Sequence, residues 1–182
     1  MDYAPFPDKR YSVIYADPPW TYRDKANAGK RGAAHKYTTQ SQAWIEGLPV
    51  RQLALPDCAL FLWVTMPKLD EVFGGDLFRK WGFTFKTCAF TWVKMNKRKP
   101  SLFWGMGGWT RANAEICLLA TRGKPKRIAA NVHSVIQAPS LAHSEKPHET
   151  RDRIVQLMGD IPRIELFARQ RVDGWDSWGD EV

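Results

Sequence analysis

The stretch that most constrains the fold is Tyr11 to Trp20, YSVIYADPPW, an apolar run that stops abruptly at Asp17-Pro18-Pro19-Trp20. Tyr11, Val13, Ile14 and Tyr15 are β-branched or aromatic and suit a buried strand. Two successive prolines must end it, because neither can donate a ladder hydrogen bond. A carboxylate and an indole are therefore expected at the C-terminal edge of a strand, where open α/β sheets bind ligands. The prolines fix φ and stiffen the turn, so Asp17 and the Pro18 carbonyl form a preorganised pair of acceptors for the N–H donors of an aromatic amine. Trp20 offers a face on which a base can stack. The plainer reading of the same residues is a proline-terminated strand with Trp20 plugging the core.

The 182 residues suit one domain, 1–182, with a real core. No apolar stretch approaches the length that crosses a bilayer, and the N-terminus MDYAPFPDKR has neither the basic nor the apolar region of a secretory signal. A soluble, cytoplasmic protein without membrane contact is expected. Cys58, Cys88 and Cys117 are odd in number, widely spaced and set in apolar runs, so they read as buried reduced thiols. Without a CxxC or clustered histidines, no metal is expected. The 27 Lys and Arg against 19 Asp and Glu give a net charge of +8, which favours a polyanionic partner through phosphate contacts.

The charge is concentrated in two segments. Residues 21–40, TYRDKANAGKRGAAHKYTTQ, are small, polar and basic with no apolar period, and read as a long loop beside the acidic turn. Arg23, Lys25, Lys30, Arg31 and Lys36 suit phosphates, and Tyr37 suits a base. Residues 94–112 hold Lys97, Arg98 and Lys99, the densest positive run, followed by Phe103, Trp104, Met106 and Trp109 among glycines. Cations for phosphates with aromatics for bases is the pattern of single-strand or flipped-base recognition. Both segments also read as solvated loops.

Between them lie regular elements. A short helix is expected over 42–47 after the capping residues Thr39 and Ser41. A buried strand follows over 59–64, then a helix capped by Thr65 and striped by Leu69, Val72, Phe73, Leu77 and Trp81, weakened by Gly74-Gly75. Strands over 84–93, 113–121 and 162–169 follow, the last preceded by a helix with Pro147 in its first turn and Gly159 at its stop. Strand, helix, strand at these lengths implies a right-handed crossover and a largely parallel sheet. Trp63 and Trp92 are expected in the core.

DPPW at the end of a strand resembles the amino-methyltransferases that modify adenine at N6 with S-adenosylmethionine, the family of the mRNA adenosine methyltransferase catalytic subunit and its bacterial and phage relatives. The resemblance extends through Gly107 and Trp109 (GxW), Glu115 and Cys117 (ExC), His143 to Pro147 (HSEKP), IELFAR and the tryptophan-rich tail, and runs from Tyr11 to Val182. It implies a single-domain α/β fold, Rossmann-like and S-adenosylmethionine-dependent, with permuted motif order, the catalytic strand preceding the cofactor strand. Carried over residue by residue, it assigns Asp17, Pro18, Pro19 and Trp20 to catalysis. Asp17, Lys94, Lys146, Phe167, Arg169, Asp180 and Glu181 are assigned to the cofactor, and Arg23, Lys36, Tyr37, Lys94, Lys97, Arg98 and Lys99 to the substrate. Asp180 stands where the family has asparagine, and no glycine-rich loop follows the strand. Compact members of this size occur in bacteria and phages and act on DNA, so nucleic acid, and DNA before RNA, is the implied partner. An RNA adenosine methyltransferase and a noncatalytic nucleic-acid-binding subunit on the same fold are the alternatives; whether the chain is a monomer or a dimer stays open.

Overall fold

The run YSVIYA forms β1 (Tyr11–Ala16), and its near-continuous apolar character has a simple cause: both of its faces are covered. Ile14 and Ala16, with Leu60, Leu62 and Val64 of β2 (Ala54–Val64), point to one core, and Val13 and Tyr15, with Ala59, Phe61 and Trp63, to the other. Strands alternate with period two, so a doubly covered strand must be apolar at successive positions. The computed structural model describes residues 3–22, 39–105, 109–140 and 145–182.

Among the described residues, β1, β2, β3 (Thr84–Met95), β4 (Ala114–Arg122), β5 (Val135–Pro139), β6 (Arg163–Leu166) and β7 (Asp176–Trp178) form one sheet in the order β5-β3-β4-β2-β1-β6-β7. Pairing is parallel except where β4 lies antiparallel between β2 and β3. The expected parallel direction of β2 and β3 therefore holds, but they are not neighbours, because β4 separates them. β5 carried no sequence signal, having one buried residue, Ile136, on a sheet edge.

The first core is covered by α1 (Gln42–Gly47), α2 (Val50–Leu53), α3 (Leu69–Gly74) and α4 (Leu77–Trp81), which contribute Ile45, Val50, Leu53, Val72, Leu77 and Trp81. The second is covered by α5 (Glu149–Met158) through Ile154 and Met158. Ser41 caps α1 as expected, its hydroxyl accepting the Trp44 N–H at 3.2 Å. The helix expected across 69–81 is instead broken in two at Gly74-Gly75. A Cβ on Gly75 would fall 2.4 Å from Glu46 Oε1, and that carboxylate accepts the Asp76 N–H at 3.2 Å and the Lys80 ammonium at 2.8 Å. An acid from α1 thus supplies the hydrogen bond that the broken helix lacks.

Two smaller expectations are corrected. Thr65 makes no side-chain cap, because its hydroxyl is shared with the Tyr22 hydroxyl at 2.8 Å. Cys58 and Cys117 are buried, but Cys88 is exposed, since β5 pairs with β3 only from Thr91 to Met95 and leaves the earlier half of β3 as an open edge.

Candidate active site

Ala16 of β1 stands opposite Leu166 of β6, so Asp17 and Phe167 leave the sheet side by side. The chain continues from β1 towards β2, while β6 lies on the other flank. Such a reversal opens the crevice in which α/β sheets hold ligands.

The proline turn is tightly fixed. The Trp20 N–H donates to the Pro18 carbonyl at 2.8 Å, and the Gln40 N–H donates to the Pro19 carbonyl at 2.8 Å. The Thr21 hydroxyl donates to the Gln40 carbonyl at 2.9 Å, stapling the two ends of the 21–40 segment together. Among the described residues the Pro18 carbonyl accepts this one bond from Trp20, which leaves it a second lone pair. Trp20 itself turns inward: it is 3% exposed, and its indole N–H donates to the Trp63 carbonyl at 3.1 Å. The acceptor at the end of β2 draws the indole into the core, as the plainer reading expects, while Trp20 still borders the cleft beside Asp17.

Asp17, with its side chain 22% exposed, accepts from Lys146 Nζ at 2.7 Å. Lys146 is 9% exposed and lies 3.4 Å from Glu115 Oε2, while Glu115 Oε1 accepts from Lys94 at 2.5 Å. The result is a line of alternating sign: Asp17, Lys146, Glu115, Lys94. Glu115 reaches it because β4 alone runs against the other strands, which brings the start of β4 to the edge where β1 ends. Burial pushes the Asp17 carboxyl above its ordinary value; Lys146 pulls it back, and Glu115 pushes it up again. Burial also works to raise Glu115, but Lys146 and Lys94 outweigh it and hold that carboxyl low. For Lys146, burial opposes the charge, and Asp17 with Glu115 overcomes it, so the ammonium stays protonated.

Two cavities meet at this line. One, of about 240 Å³, is bordered by Asp17, Lys146, Glu165, Phe167, Arg169 and Glu181. The other is a narrow cleft bordered by Pro18, Pro19, Tyr22, Thr65 and Glu115, and it shares Asp17, Lys146 and Arg169 with the first. The larger cavity offers carboxylates for a diol or an ammonium, cations for a carboxylate, and an aromatic wall. That set of groups fits a zwitterionic amino acid joined to a nucleoside. Phe167 adopts φ 61°, an uncommon conformation for a non-glycine residue and one that clusters at ligand sites. Its ring packs 5.5 Å from Trp178 and 6.3 Å from Tyr3. Burial pushes the Tyr3 phenol up to about 12, and the charges of Asp180 and then Glu181 add to the rise. Glu181 lies 3.8 Å from Arg169.

Asp17, Lys94, Lys146, Phe167, Arg169 and Glu181 are thus brought together, whereas Asp180 is exposed and borders neither cavity. Lys97, Arg98 and Lys99 are exposed and, with Met95, Asn96, Phe103 and Ser140, border a separate groove of about 480 Å³. Trp104 and Trp109 are exposed in the same segment, and the Arg111 guanidinium stands 5.5 Å from the Trp104 ring. Arg23, Lys25, Lys30, Arg31, Lys36, Tyr37, Met106, Gly107, His143 and Ser144 lie outside the described residues. Sequence reasoning gave no role to Arg151 and Glu165, which pair in a bidentate bridge at 2.7 and 2.9 Å on the wall of the larger cavity. The available signal was an acid in the otherwise apolar strand IELF. Among the described residues no group of His, Cys, Asp and Glu could hold a metal ion, and no helix is long and apolar enough to cross a membrane.

A mostly parallel sheet of this order, with its acid and cavity at the reversal, is the α/β fold of S-adenosylmethionine-dependent methyltransferases. The chain is 35% identical over 195 residues to the type II methyltransferase M.MunI of a Mycoplasma species, covering 97% of this chain and 79% of that protein. It is 26% identical to the N6-methyladenosine RNA methyltransferase MTA1 of Cryphonectria parasitica and 29% identical to the human N(6)-adenine-specific methyltransferase METTL4. It spans 52% and 38% of those two proteins. The chain belongs to the MT-A70 family, whose model matches residues 11–181.

Proposed function

We propose that the chain transfers a methyl group to the N6 amine of adenine in DNA. The observation that carries this reading is the meeting of the two cavities at Asp17: one suits a charged nucleoside, the other is narrow and lined with acceptors. The likeness to relatives named for N6-adenine methylation supports the reaction. The greater identity and coverage with the type II methyltransferase than with the RNA methyltransferase support DNA over RNA.

In this reading Lys146, Phe167, Arg169, Asp180 and Glu181 hold S-adenosylmethionine, with Asp17 and Lys94 at its reactive end. The cofactor supplies an electrophilic methyl on a sulfonium. Asp17 and the free lone pair of the Pro18 carbonyl accept the two amine hydrogens, which turns the nitrogen lone pair towards the larger cavity. Lys146 fixes the Asp17 carboxylate, so orientation is set before reaction. Asp17 and Glu115 stabilise the positive charge that grows on nitrogen, and the displaced proton passes to Asp17 or to water. Lys97, Arg98 and Lys99, with Arg23, Lys36 and Tyr37, grip the nucleic acid around a flipped base, whose extraction costs a few kcal/mol. The place of action is the cytoplasm of a bacterial or phage-infected cell.

The test is incubation with methyl-labelled S-adenosylmethionine and single- or double-stranded DNA and RNA, followed by digestion to nucleosides. N6-methyladenine from DNA is expected. Label in RNA alone would overturn the choice of polymer, and cofactor binding without transfer would favour a noncatalytic subunit.

The pH profile carries its own prediction. Asp17 acts as a carboxylate and its pKa is raised, so as pH falls transfer should be lost earlier than the ordinary aspartate value of about 4 implies. Glu115 is one of the groups raising it, so Glu115→Gln should shift the acid limb of kcat/KM to lower pH. An unmoved limb would show that Asp17 does not govern it.

A further inference from the structure

Among the described residues, three aromatic side chains border the narrow cleft beside Asp17: Trp20, Tyr22 and Trp63. Two of them present almost no surface. Trp20 is 3% and Trp63 is 1% exposed, and each indole N–H is used internally, on the Trp63 carbonyl at 3.1 Å and on the Tyr15 hydroxyl at 2.7 Å. Neither can receive a flat ligand without leaving the core. Tyr22 is different: it packs against the first core but is only partly buried, and it borders the cleft.

The Tyr22 ring is also held in place. Its hydroxyl shares a hydrogen bond of 2.8 Å with Thr65 Oγ1, just beyond the end of β2. The Lys68 ammonium stands 5.7 Å from its ring centroid, and Lys68 is itself buried and tied to Glu71 at 2.7 Å. Thr65 thus gives up a helix cap and anchors a ring. An aromatic face fixed before the ligand arrives loses little freedom on stacking, which is what a base platform needs.

We infer that Tyr22, and not Trp20, is the ring on which the target purine stacks, with Thr65 and Lys68 as the residues that position it. The inference rests on the reading of the cleft as the adenine site. It makes Tyr22 a specificity-determining residue: it selects a planar base at the mouth, while Asp17 and Pro18 select the amine within.

The experiment is steady-state methylation of unmethylated, PCR-amplified bacterial genomic DNA, which offers adenine in many sequence contexts, by the whole chain and by Tyr22→Leu and Tyr22→Phe, with thermal unfolding of each. Tyr22→Leu should raise KM for DNA roughly tenfold or more, since base–aromatic stacking is worth about that much, with a smaller change in kcat. Tyr22→Phe keeps the face but loses the bond to Thr65, so its KM should rise, by less than that of Tyr22→Leu. Parent-like KM in a folded Tyr22→Leu overturns the inference alone. If Tyr22→Leu does not fold, a KM for Tyr22→Phe that rises as far as its melting temperature falls would make the residue structural and overturn it as well. A parent chain that transfers no methyl to adenine overturns the reading of the cleft itself, and this inference with it.

Discussion

Asp17→Asn should leave a folded protein that binds cofactor and DNA but transfers methyl at least a hundredfold more slowly. The amide keeps the volume of the side chain at the end of β1 and keeps one acceptor, so the turn through Pro18 and Pro19 has no steric reason to move. What it loses is the charge. A preorganised group that faces developing charge in a site shielded from water is typically worth a hundredfold to a thousandfold in kcat. In the proposed reaction the developing charge is on the adenine amine, and Asp17 is the acid at the junction of both cavities. The substitution leaves Lys146 with Glu115 at 3.4 Å, so the buried ammonium is not stranded and the fold is spared. Single-turnover transfer, cofactor titration and a melting curve together separate the outcomes. A folded variant with the parental rate would remove Asp17 from the chemistry, and an unfolded one would make the turn structural.

The second large effect concerns stability. Arg151 and Glu165 are both nearly buried and joined by two hydrogen bonds at 2.7 and 2.9 Å, linking α5 to β6. Removing one partner of a buried, hydrogen-bonded ion pair costs about 3–5 kcal/mol, because the other charge is left without compensation. Arg151→Met should therefore lower the urea midpoint sharply. Burial already pushes the Glu165 carboxyl up against the pull of Arg151, so the variant should take up a proton at Glu165 and lose less stability at low pH than at neutral pH. Arg151→Met combined with Glu165→Leu should recover much of the loss, since it removes the stranded charge as well. A single variant within about 1 kcal/mol of the parent would show that water reaches the pair.

Much of this protein is legible in local pattern. A run of β-branched and aromatic residues ended by two prolines specifies a strand and its last residue, because sterics and the missing donors act within a few positions. Ser41 and Gly159 mark helix ends for the same local reason, the latter with φ 90°. The resemblance of DPPW, HSEKP and IELFAR likewise collected Asp17, Lys146, Phe167 and Arg169, which the fold brings to one edge.

Other features depend on partners far away in the chain. The helix over 69–81 had the right stripe, yet Glu46 from α1 enters at Gly75 and divides it. Trp20 at the end of DPPW reads both as a base platform and as a core plug, and packing buries it because the Trp63 carbonyl lies within reach of its N–H. Tyr22 carried no signal at all until Thr65 and Lys68 were seen to hold it.

By itself the sequence determined where the acid lies, at the end of a buried strand, and which side chains share the motif. Tertiary structure decided what that acid touches. Lys146 is 129 residues from Asp17, and Glu115 meets them both only because β4 runs antiparallel. Periodicity reports which face of a strand is buried, but not the direction or neighbour that the strand takes, since those follow from long-range packing of the whole sheet.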